Sequence, residues 1–403
     1  MAERVVVTAI GIISALGTGK DAHMSRFRAS QSGVRGVKHL RSIRAHEFVL
    51  GEIDKSNDEL ADALGLPTGD NGYTRTTLIS LAAMNDLLQN TDIPLLLNEP
   101  FAFINANTVG GMSKMEDIYM DVITSGTDEN NNKYINTLDC AESTENVALH
   151  YGLKPIMATI STACSSSSNS LILGARMIKQ GIVTRAVCGG GDALSRFTLN
   201  GFYSLKNVDK HNCKPFDQNR NGLNLGEAAA FCLLESESAA IARGANIIAV
   251  LSGYANTNDA YHPTAPSPTG EGACRTMQQA LDVAGLQPAD INYINAHGTA
   301  TTNNDLSEAK AIQTLFGIEP PYFSSTKPFT GHTLAAAGVI EAIFCMWAMQ
   351  ERIVLPNLNF ETKMEEVDIT PAASLIEDVD LKHVLSNSFG FGGSNVSLIF
   401  SKA

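Results

Sequence analysis

Three features are absent from this sequence of 403 residues, and each absence removes a class of protein. The seven cysteines include no Cys-x-x-Cys pair, so their spacing predicts no zinc site. No uncharged apolar run reaches about 18 residues, so we expect no membrane span. The first residues lack the basic-then-apolar order of a secretory leader. We therefore expect a cytoplasmic protein with reduced thiols.

Basic charge is also scarce. The formal net charge is -13 at pH 7, which argues against a nucleic-acid partner, because such a partner requires a basic footprint. A local basic cluster would still suit an acidic partner. The longest acid-free cluster consists of Arg26, Arg28, Arg35, Lys38, Arg41 and Arg44, and a weaker one of Lys206, Lys210, Lys214 and Arg220. We interpret the first as a solvated face in preference to a docking surface.

The sequence does contain short apolar runs that alternate with longer helical patterns, which is typical of layered α/β structure. With 44% hydrophobic residues, the chain can fill a large core. The predicted strands are Arg4–Ile10, Ala102–Asn105, Ala158–Ser161, Ala186–Gly189, Ala229–Leu234, Ile247–Leu251, Ile291–Asn295, Tyr322–Ser325, Leu385–Ser388 and Val396–Phe400. The polar segment Asp121–Cys140 is a predicted surface excursion, and the segment His262–Gly272, with three prolines and two glycines, is a predicted loop.

A weak internal repeat relates the two parts of the chain. The first part runs strand, Thr-Ala-Cys164, helix, and the second runs strand, Thr330-Gly331-His332, helix. The length also suits two domains or one large fused fold. We therefore predict a duplicated α/β unit with halves at 1–245 and 246–403.

Cys164 is a candidate nucleophile because of its position before a predicted helix. Free amides and the positive end of the helix dipole favour a thiolate there and lower the thiol pKa. Its small neighbours Thr162, Ala163 and Ser165 allow a sharp turn. The alternative is a small buried hydrophobe, our interpretation of Cys188 and Cys232. Local features alone leave both interpretations of Cys164 open.

Two histidines, His297 and His332, follow predicted strands in glycine-containing segments that leave room for an imidazole to enter a cavity. Each alone also fits a structural or surface role. A metal site is a competing idea, but no carboxylate or second histidine lies at ligand spacing nearby. A cysteine with two imidazoles provides the groups that acyl transfer requires.

Two further segments indicate a buried site. The helix after His332 is apolar all round except for Glu341, so that carboxylate needs a partner such as Lys327 unless it surfaces at a helix end. The segment Gly390-Phe391-Gly392-Gly393-Ser394 has exposed amides that suit an oxyanion donor and a hinged lid. A phosphate cradle is disfavoured, because a predicted strand rather than a helix follows.

Taken together, four segments resemble the β-ketoacyl-acyl carrier protein synthases of fatty-acid elongation and polyketide assembly. They are Thr-Ala-Cys164-Ser-Ser, Asn-Ala-His297-Gly-Thr, Thr-Lys327-Pro-Phe-Thr-Gly-His332 and Asn387-Ser-Phe-Gly-Phe391-Gly-Gly, and the resemblance covers Val5 to Phe400. It implies the thiolase fold, a duplicated five-layered αβαβα structure, and a dimer. The partner is a second copy or a chain-length-factor-like subunit.

The resemblance also implies roles for single residues. Cys164 takes the acyl group from a carrier-protein thioester, and His297 and His332 assist decarboxylation of a malonyl-carrier unit. Lys327 orders the histidine site, with Glu341 as its buried partner. The other matched positions are Thr299 and Thr301 at the pantetheine arm, Phe391 at the gate and with Cys164 at the oxyanion hole, Phe202 and Val109 at the acyl pocket, and Lys206 at the carrier-docking surface. No cofactor and no metal are implied.

The chain departs from the fatty-acid enzymes in places that concern its partner. Ser165-Ser-Ser-Ser-Asn169 replaces the usual Thr-Ser-Gly after the nucleophile, Pro328-Phe329 replaces Ser-Met, and Leu66–Thr76 has only Arg75 as a basic residue. These changes favour a dedicated carrier in a polyketide or aryl-polyene pathway. The alternatives are a non-catalytic chain-length-factor-like partner, which the joint presence of Cys164, His297 and His332 argues against, and a thiolase-type coenzyme A acyltransferase.

Overall fold

The computed structural model describes residues 3–91, 100–125 and 129–403. Its strands are β1 Val5–Ser14, β2 Gly17–Thr18, β3 Ala102–Ala106, β4 Ile156–Ile160, β5 Arg185–Asp192, β6 Ala228–Ser236, β7 Ala249–Asn258, β8 Tyr293–Asn295, β9 Tyr322–Ser324, β10 His383–Phe389 and β11 Ser394–Ser401. All ten predicted strands are present, most of them longer than predicted. The short strand β2, which pairs with the end of β1, was not predicted.

The described helices are α1 Gly19–Arg28, α2 Asn57–Ala63, α3 Arg75–Gln89, α4 Met112–Ser125, α5 Glu129–Ile135, α6 Cys140–His150, α7 Ser166–Lys179, α8 Arg196–Ser204, α9 Glu237–Ala242, α10 Glu271–Ala284, α11 Thr302–Phe316, α12 Lys327–Thr330 and α13 Ala337–Glu351. Short 3-10 turns lie at Ala45–Glu47, Asn136–Leu138, Pro288–Asp290, Leu334–Ala336 and Phe391–Gly393. Thus α7 begins shortly after Cys164, and α13 begins shortly after His332.

The strand order shows the duplication. The sheet runs β4-β3-β5-β6-β1-β7-β11-β10-β8-β9. Numbered within its own half, each set of five strands reads 3-2-4-5-1, and the two sets meet head to head at β1 and β7. Parallel and antiparallel pairings also match between the halves. Only Val6–Val250 and Val7–Ala249 pair across the junction.

Five layers result from this arrangement. Helices α7 and α13 lie between the two half-sheets, and α13 packs on α7 as well as on β10 and β6. Helices α3 and α6 cover the outer face of the first half-sheet, whereas α10 covers that of the second and α11 packs beside α10. The predicted thiolase fold with its αβαβα layers is therefore confirmed.

The central pair of helices packs unusually closely. A Cβ atom built on Gly338 of α13 would lie 2.0 Å from Ser168 Oγ of α7, so only glycine fits at that position. Ser168 Oγ also lies 2.9 Å from Ser388 Oγ, and Ser167 Oγ accepts a hydrogen bond from Val339 N at 2.9 Å. Ser167 therefore joins the two helices, and Ser168 ties α7 to β10.

The apolar helix predicted after His332 belongs to the core. Within the described residues, the stretch Leu334–Glu351 is long and apolar enough to cross a membrane, but 89% of it is buried inside the protein. Such a helix is the expected centre of a layered fold.

The segment Asp121–Cys140, predicted as a surface excursion, is largely helical in its described parts. Helices α4 and α5 and a 3-10 turn occupy most of the segment, while residues 126–128 lie outside the described ranges. The helices form because Met115, Ile118 and Tyr134 bury their side chains against one another. In contrast, the predicted loop His262–Gly272 is irregular until α10 begins at Glu271.

Candidate active site

The turn that carries Cys164 joins β4 to α7. Ala163 has a φ of 53°, a left-handed conformation that costs a non-glycine residue about 1–2 kcal/mol. Hydrogen bonds hold the turn: Ser166 Oγ donates to Ala163 O at 2.5 Å, and Thr162 N donates to Ser166 Oγ at 2.8 Å. The sulfur is thereby directed into the space between the two halves, where Cys164 is only 5% exposed.

His332 contacts the sulfur directly. Its Nε2 lies 3.0 Å from Cys164 Sγ, and the amide of Leu334 donates to its Nδ1 at 3.3 Å. An Nδ1 that accepts a hydrogen bond carries no proton in the neutral ring, so the proton lies on Nε2. His332 therefore presents an N–H donor to the sulfur.

His297 lies beside His332, with ring centroids 5.4 Å apart and ring planes at 87°. Lys327 Nζ lies 3.3 Å from His297 Nδ1. Because an ammonium group has no acceptor, it donates, and the proton of the neutral His297 ring is again on Nε2. The site thus contains two neutral imidazoles, each with Nε2–H as its free donor.

Lys327 is fully buried and has a partner for each of its three donors. Besides His297 Nδ1, the ammonium group donates to His297 O and to Glu341 Oε1, both at 2.5 Å. Glu341 is 2% exposed, so it does not surface at a helix end. This arrangement fixes the orientation of the His297 ring and its tautomer.

The electrostatics keep the imidazoles neutral. Burial and the charge of Lys327 hold the pKa of His297 and of His332 well below the ordinary value. For Glu341, burial raises the pKa to about 7, and the Lys327 charge opposes that rise. At physiological pH both rings are therefore neutral, and each has one N–H donor available to the cavity.

The predicted fall in the thiol pKa is wrong for the substrate-free protein. Burial raises the pKa of Cys164 to about 11 and outweighs the Lys327 charge and the amides of Phe391 and Cys164, which act in the opposite direction. The sequence prediction considered the helix start alone, whereas desolvation of a fully buried thiolate is the larger effect here.

The site opens into a cavity of about 260 Å³. The predicted residues that line it are Cys164, His297, His332, Thr299, Thr301, Phe202, Phe391 and Lys206. Phe391 stacks on Phe202 with ring centroids 5.5 Å apart, and the hydroxyls of Thr299 and Thr301 lie 2.9 Å apart. Lys206 is exposed and lies at the cavity mouth. Val109 is not a lining residue; it packs in the apolar cluster that includes Phe202 and Leu334.

A metal ion was the competing interpretation. The ligand atoms of Cys164, His297 and His332 lie within 4.8 Å of one another, close enough to hold one. However, both imidazoles present Nε2–H rather than a lone pair, and the Lys327 ammonium group opposes a second cation. The donor set therefore suits a negatively charged oxygen better than a metal ion.

Sequence reasoning missed two carboxylates that hold the His297 loop. Glu308 accepts hydrogen bonds from the amides of His297 and Gly298, each at 2.8 Å, and from Asn387 Nδ2 at 3.1 Å. Asp305 accepts from the amides of Ala300 and Phe216. Both acids lie one turn apart on α11 and are fully buried. Their burial would have indicated their role, but it cannot be inferred from the sequence alone.

The acid-free basic cluster is largely neutralised by acids from elsewhere in the sequence. Arg28 pairs with Glu351 and Glu377, and Arg44 pairs with Glu47. Asp54 pairs with both Arg35 and Lys38. These ion pairs support the interpretation as a solvated face. In the second basic set, Lys210 and Lys214 also pair with glutamates.

Fold and site together define the class of thiolase-fold acyltransferases, with a buried cysteine beside two histidines. The family models "Beta-ketoacyl synthase, N-terminal domain" and "Beta-ketoacyl synthase, C-terminal domain" match residues 2–240 and 248–361. The chain therefore belongs to the β-ketoacyl synthase family.

Individual relatives agree with this assignment. The chain is 32% identical over 414 residues to 3-oxoacyl-[acyl-carrier-protein] synthase 2 of Staphylococcus aureus, covering 99% of this chain and 98% of that one. It is 34% identical over 418 residues to the synthase 2 of Synechocystis, with the same coverage.

Solved structures give the same result. The ishigamide ketosynthase/chain length factor has a TM-score of 0.93 at 27% identity and covers 100% of both chains. The ketosynthase ApeO in complex with its chain length factor ApeC, from Xenorhabdus doucetiae, has a TM-score of 0.83 at 31% identity and covers 100% of this chain and 98% of that one.

Proposed function

We propose that this protein catalyses decarboxylative Claisen condensation between an acyl group held on Cys164 and malonyl-acyl carrier protein. The product is β-ketoacyl-acyl carrier protein. The observation that carries the proposal is the convergence of one thiol and two Nε2–H donors, with Sγ 3.0 Å from His332 Nε2, at the base of an open cavity.

The first step loads the acyl group. Cys164 Sγ attacks the acyl thioester of a carrier, and the thiol proton leaves with the departing pantetheine sulfur. His332 Nε2–H stabilises negative charge on the attacking sulfur, while the amides of Cys164 and Phe391 face the acyl oxygen. The raised pKa of the resting thiol fits this step, because the proton need leave only when the thioester arrives.

The second step makes the carbon nucleophile. Malonyl-carrier loses carbon dioxide, and the electron pair of the broken bond becomes an enolate on the thioester. Nε2–H of His297 and of His332 donate to the enolate oxygen. Lys327 and Glu341 act as positioning residues, because they touch His297 and not the substrate.

In the third step the enolate carbon attacks the acyl thioester on Cys164. The carbon–carbon bond forms, the carbon–sulfur bond breaks, and the Cys164 thiolate takes a proton from solvent. The reaction consumes no redox equivalent and no nucleotide, so the proposal includes no cofactor and no metal. Thr299 and Thr301 hold the pantetheine arm, and Phe202, Phe391 and the cluster containing Val109 surround the acyl group.

The partner in assembly is proposed to bind β4. Among the described strands, β4 lies at one end of the sheet and pairs only with β3. Its residues Ile156 and Met157 are 48% and 47% exposed. A bare apolar edge favours pairing with another chain. Ketosynthase neighbours form complexes with a chain length factor, so the partner is a second copy or such a subunit.

The carrier is proposed to belong to a specialised polyketide or aryl-polyene-type pathway in the cytoplasm. Acyl carriers are acidic, and the segment Leu66–Thr76 offers them little, since Arg75 is buried in an ion pair with Glu227. Lys206 at the cavity mouth remains available. A carrier with a smaller acidic surface would suit this chain better than the housekeeping carrier.

The proposal is tested by incubating the protein with acyl-carrier and malonyl-carrier thioesters from both kinds of pathway. We expect an acyl adduct on Cys164 by peptide mass spectrometry, release of carbon dioxide, and a β-ketoacyl product, each faster with the specialised carrier. An adduct on another cysteine refutes the assignment of the nucleophile. Equal rates with both carriers refute the specialisation.

The same experiment separates the alternatives. A chain-length-factor-like partner would form no adduct and would stimulate condensation by another chain. A thiolase-type enzyme would accept acetyl-coenzyme A and form its product without releasing carbon dioxide. Decarboxylation that depends on malonyl-carrier distinguishes the proposed reaction from both.

A further inference from the structure

Asp192, the last residue of β5, carries a buried carboxylate that the proposed mechanism does not use. Asp192 is 0% exposed. It accepts hydrogen bonds from two segments that are distant in sequence. In the loop after β3, the donors are Thr108 N at 3.0 Å, Thr108 Oγ1 at 2.5 Å and Val109 N at 3.3 Å. In the turn after His332, the donor is Ala335 N at 2.8 Å.

The bond to Ala335 bears on the orientation of His332. Between these two residues lies Leu334, whose φ of 54° is left-handed and disfavoured for leucine. In this conformation the Leu334 amide donates to His332 Nδ1 at 3.3 Å. The carboxylate therefore holds the peptide that immediately follows the strained residue. Without that hold, the turn would relax toward a favoured φ, and the Leu334 amide would leave the ring.

We propose that Asp192 is a positioning residue that keeps His332 in its Nε2–H form facing Cys164. The connection runs from the carboxylate to the Ala335 amide, through the Leu334 turn to His332 Nδ1, and across the ring to the sulfur. Only the benefit of this orientation to catalysis rests on the proposed function. The structural connection itself can be measured in the absence of any substrate.

The other hydrogen bonds of the carboxylate hold a loop that lies behind the wall of the cavity. Thr108 and Val109 begin the loop after β3, and Val109 packs in the same apolar cluster as Leu334 and Phe202. One side chain thus holds both a loop behind the wall of the cavity and the turn that follows His332. A position of this kind sets the placement of the acyl group relative to the groups that react with it.

The test compares Asp192→Asn with the matched control Asp217→Asn. Asp217 is also 0% exposed and accepts backbone hydrogen bonds from Asn219, Glu361 and Thr362, but it contacts neither catalytic turn. Asparagine keeps the volume of aspartate but replaces one acceptor oxygen with an NH₂ group. At position 192 the amide would satisfy the β3 loop and lose the bond to Ala335.

The first readout is the rate at which iodoacetamide alkylates Cys164 at pH 8, followed by peptide mass spectrometry. We expect Asp192→Asn to slow this rate by about tenfold, because the sulfur loses its N–H donor, and Asp217→Asn to stay within twofold of the parent. The second readout is the ¹⁵N signal pair of His332 in histidine-labelled protein, assigned with His332→Ala. We expect the Nε2–H form in the parent and a mixture of both tautomers in Asp192→Asn.

Unchanged alkylation and an unchanged tautomer in a folded Asp192→Asn protein would overturn the proposal. Equal slowing in both variants would also overturn it, because the effect would then be one of general packing. If Asp192→Asn does not fold, Asp192→Glu is used. It keeps the charge but displaces the oxygens from Ala335, and we expect about threefold slower alkylation. A protein that shows these effects yet condenses nothing would refute the proposed function and leave this inference intact.

Discussion

The two halves of the molecule have the same strand order but supply different chemistry. In the first half, the third strand leads through a turn with a left-handed alanine to Cys164 and the central helix α7. In the second half, the corresponding strand leads to His332 and the central helix α13. The duplicated framework brings two equivalent turns to one point, where one supplies the nucleophile and the other the hydrogen-bond donor.

The halves differ most in how their buried polar groups are held. Cys164 depends on hydrogen bonds within its own turn, chiefly those of Ser166. The imidazoles depend on groups from several elements: Lys327 from α12, Glu341 from α13 and Glu308 from α11. We infer that loss of Cys164 removes acyl transfer and the condensation that depends on it but spares decarboxylation, whereas damage to the groups that hold the imidazoles disturbs both decarboxylation and folding.

The largest effect is expected from Cys164→Ala. Acyl transfer and condensation should fall by at least about 10³-fold, because the nucleophile is absent. Decarboxylation of malonyl-carrier should persist in part, since both Nε2–H donors remain. Radiolabelled carbon dioxide release and product formation are measured in parallel. Complete loss of carbon dioxide release in a folded variant would contradict the separation of the halves.

The histidine variants should show the opposite pattern. His297→Ala and His332→Ala each remove one donor to the enolate oxygen, so condensation should fall by about 10²–10³-fold. Acylation of Cys164 should fall much less, especially in His297→Ala, because that ring does not touch the sulfur. Adduct formation and condensation are compared in each variant. Equal loss of both steps would indicate a collapsed site.

Lys327→Met should combine a loss of condensation of about 10²-fold with a loss of stability of about 3 kcal/mol, because Glu341 loses its buried partner. The stability loss should grow with pH. Without the ammonium group, the pKa of Glu341 rises further above its unfolded value, and a raised folded pKa gives stability that disappears as pH increases.

Urea unfolding of parent and variant between pH 5 and pH 8 measures this trend. The double variant Lys327→Met/Glu341→Gln is the control and should regain most of the stability without regaining condensation. A stability gap that narrows with increasing pH would contradict the assigned pair.

The smallest effect on chemistry is expected at the sheet edges. Ile156 on β4 and Tyr322 on β9 are 48% and 47% exposed at the two ends of the sheet, but the β9 edge is covered by the chain itself, since Ala372 N donates to Phe323 O at 2.8 Å. Ile156→Glu should weaken dimerisation by at least tenfold, whereas Tyr322→Glu should not. Analytical ultracentrifugation measures both. Equal behaviour of the two variants would place the partner elsewhere.

The sequence predicted the strands, the family and the residues that the structure brings together around Cys164, because these depend on local pattern. Cys164, His297, His332 and Lys327 each stand in a short motif that carries its own signal. The positioning carboxylates do not. Glu308 lies in the middle of an ordinary helix, and Asp192 ends a strand behind three glycines.

What escaped prediction depends on contacts between distant residues. Asp192 and Ala335 are hydrogen-bonded across 143 positions of sequence, and no local pattern reports such a bond. The predicted fall in the thiol pKa was wrong for a related reason. Burial, which raises the pKa, comes from the whole fold, whereas the dipole, which lowers it, comes from one helix. Val109 was predicted at the acyl pocket but lies behind the cavity wall, because the whole fold decides which side chains line the cavity.

The contact between Gly338 and Ser168 has a consequence for the geometry of the site. Helix α7 begins beside Cys164, and α13 begins shortly after His332. The distance between the sulfur and the imidazole is therefore set by the contact between Ser168 and Gly338 along these helices. A methyl group at position 338 would wedge the helices apart and separate the reactants without altering either one. Catalytic distance in this protein is thus a property of its middle layer.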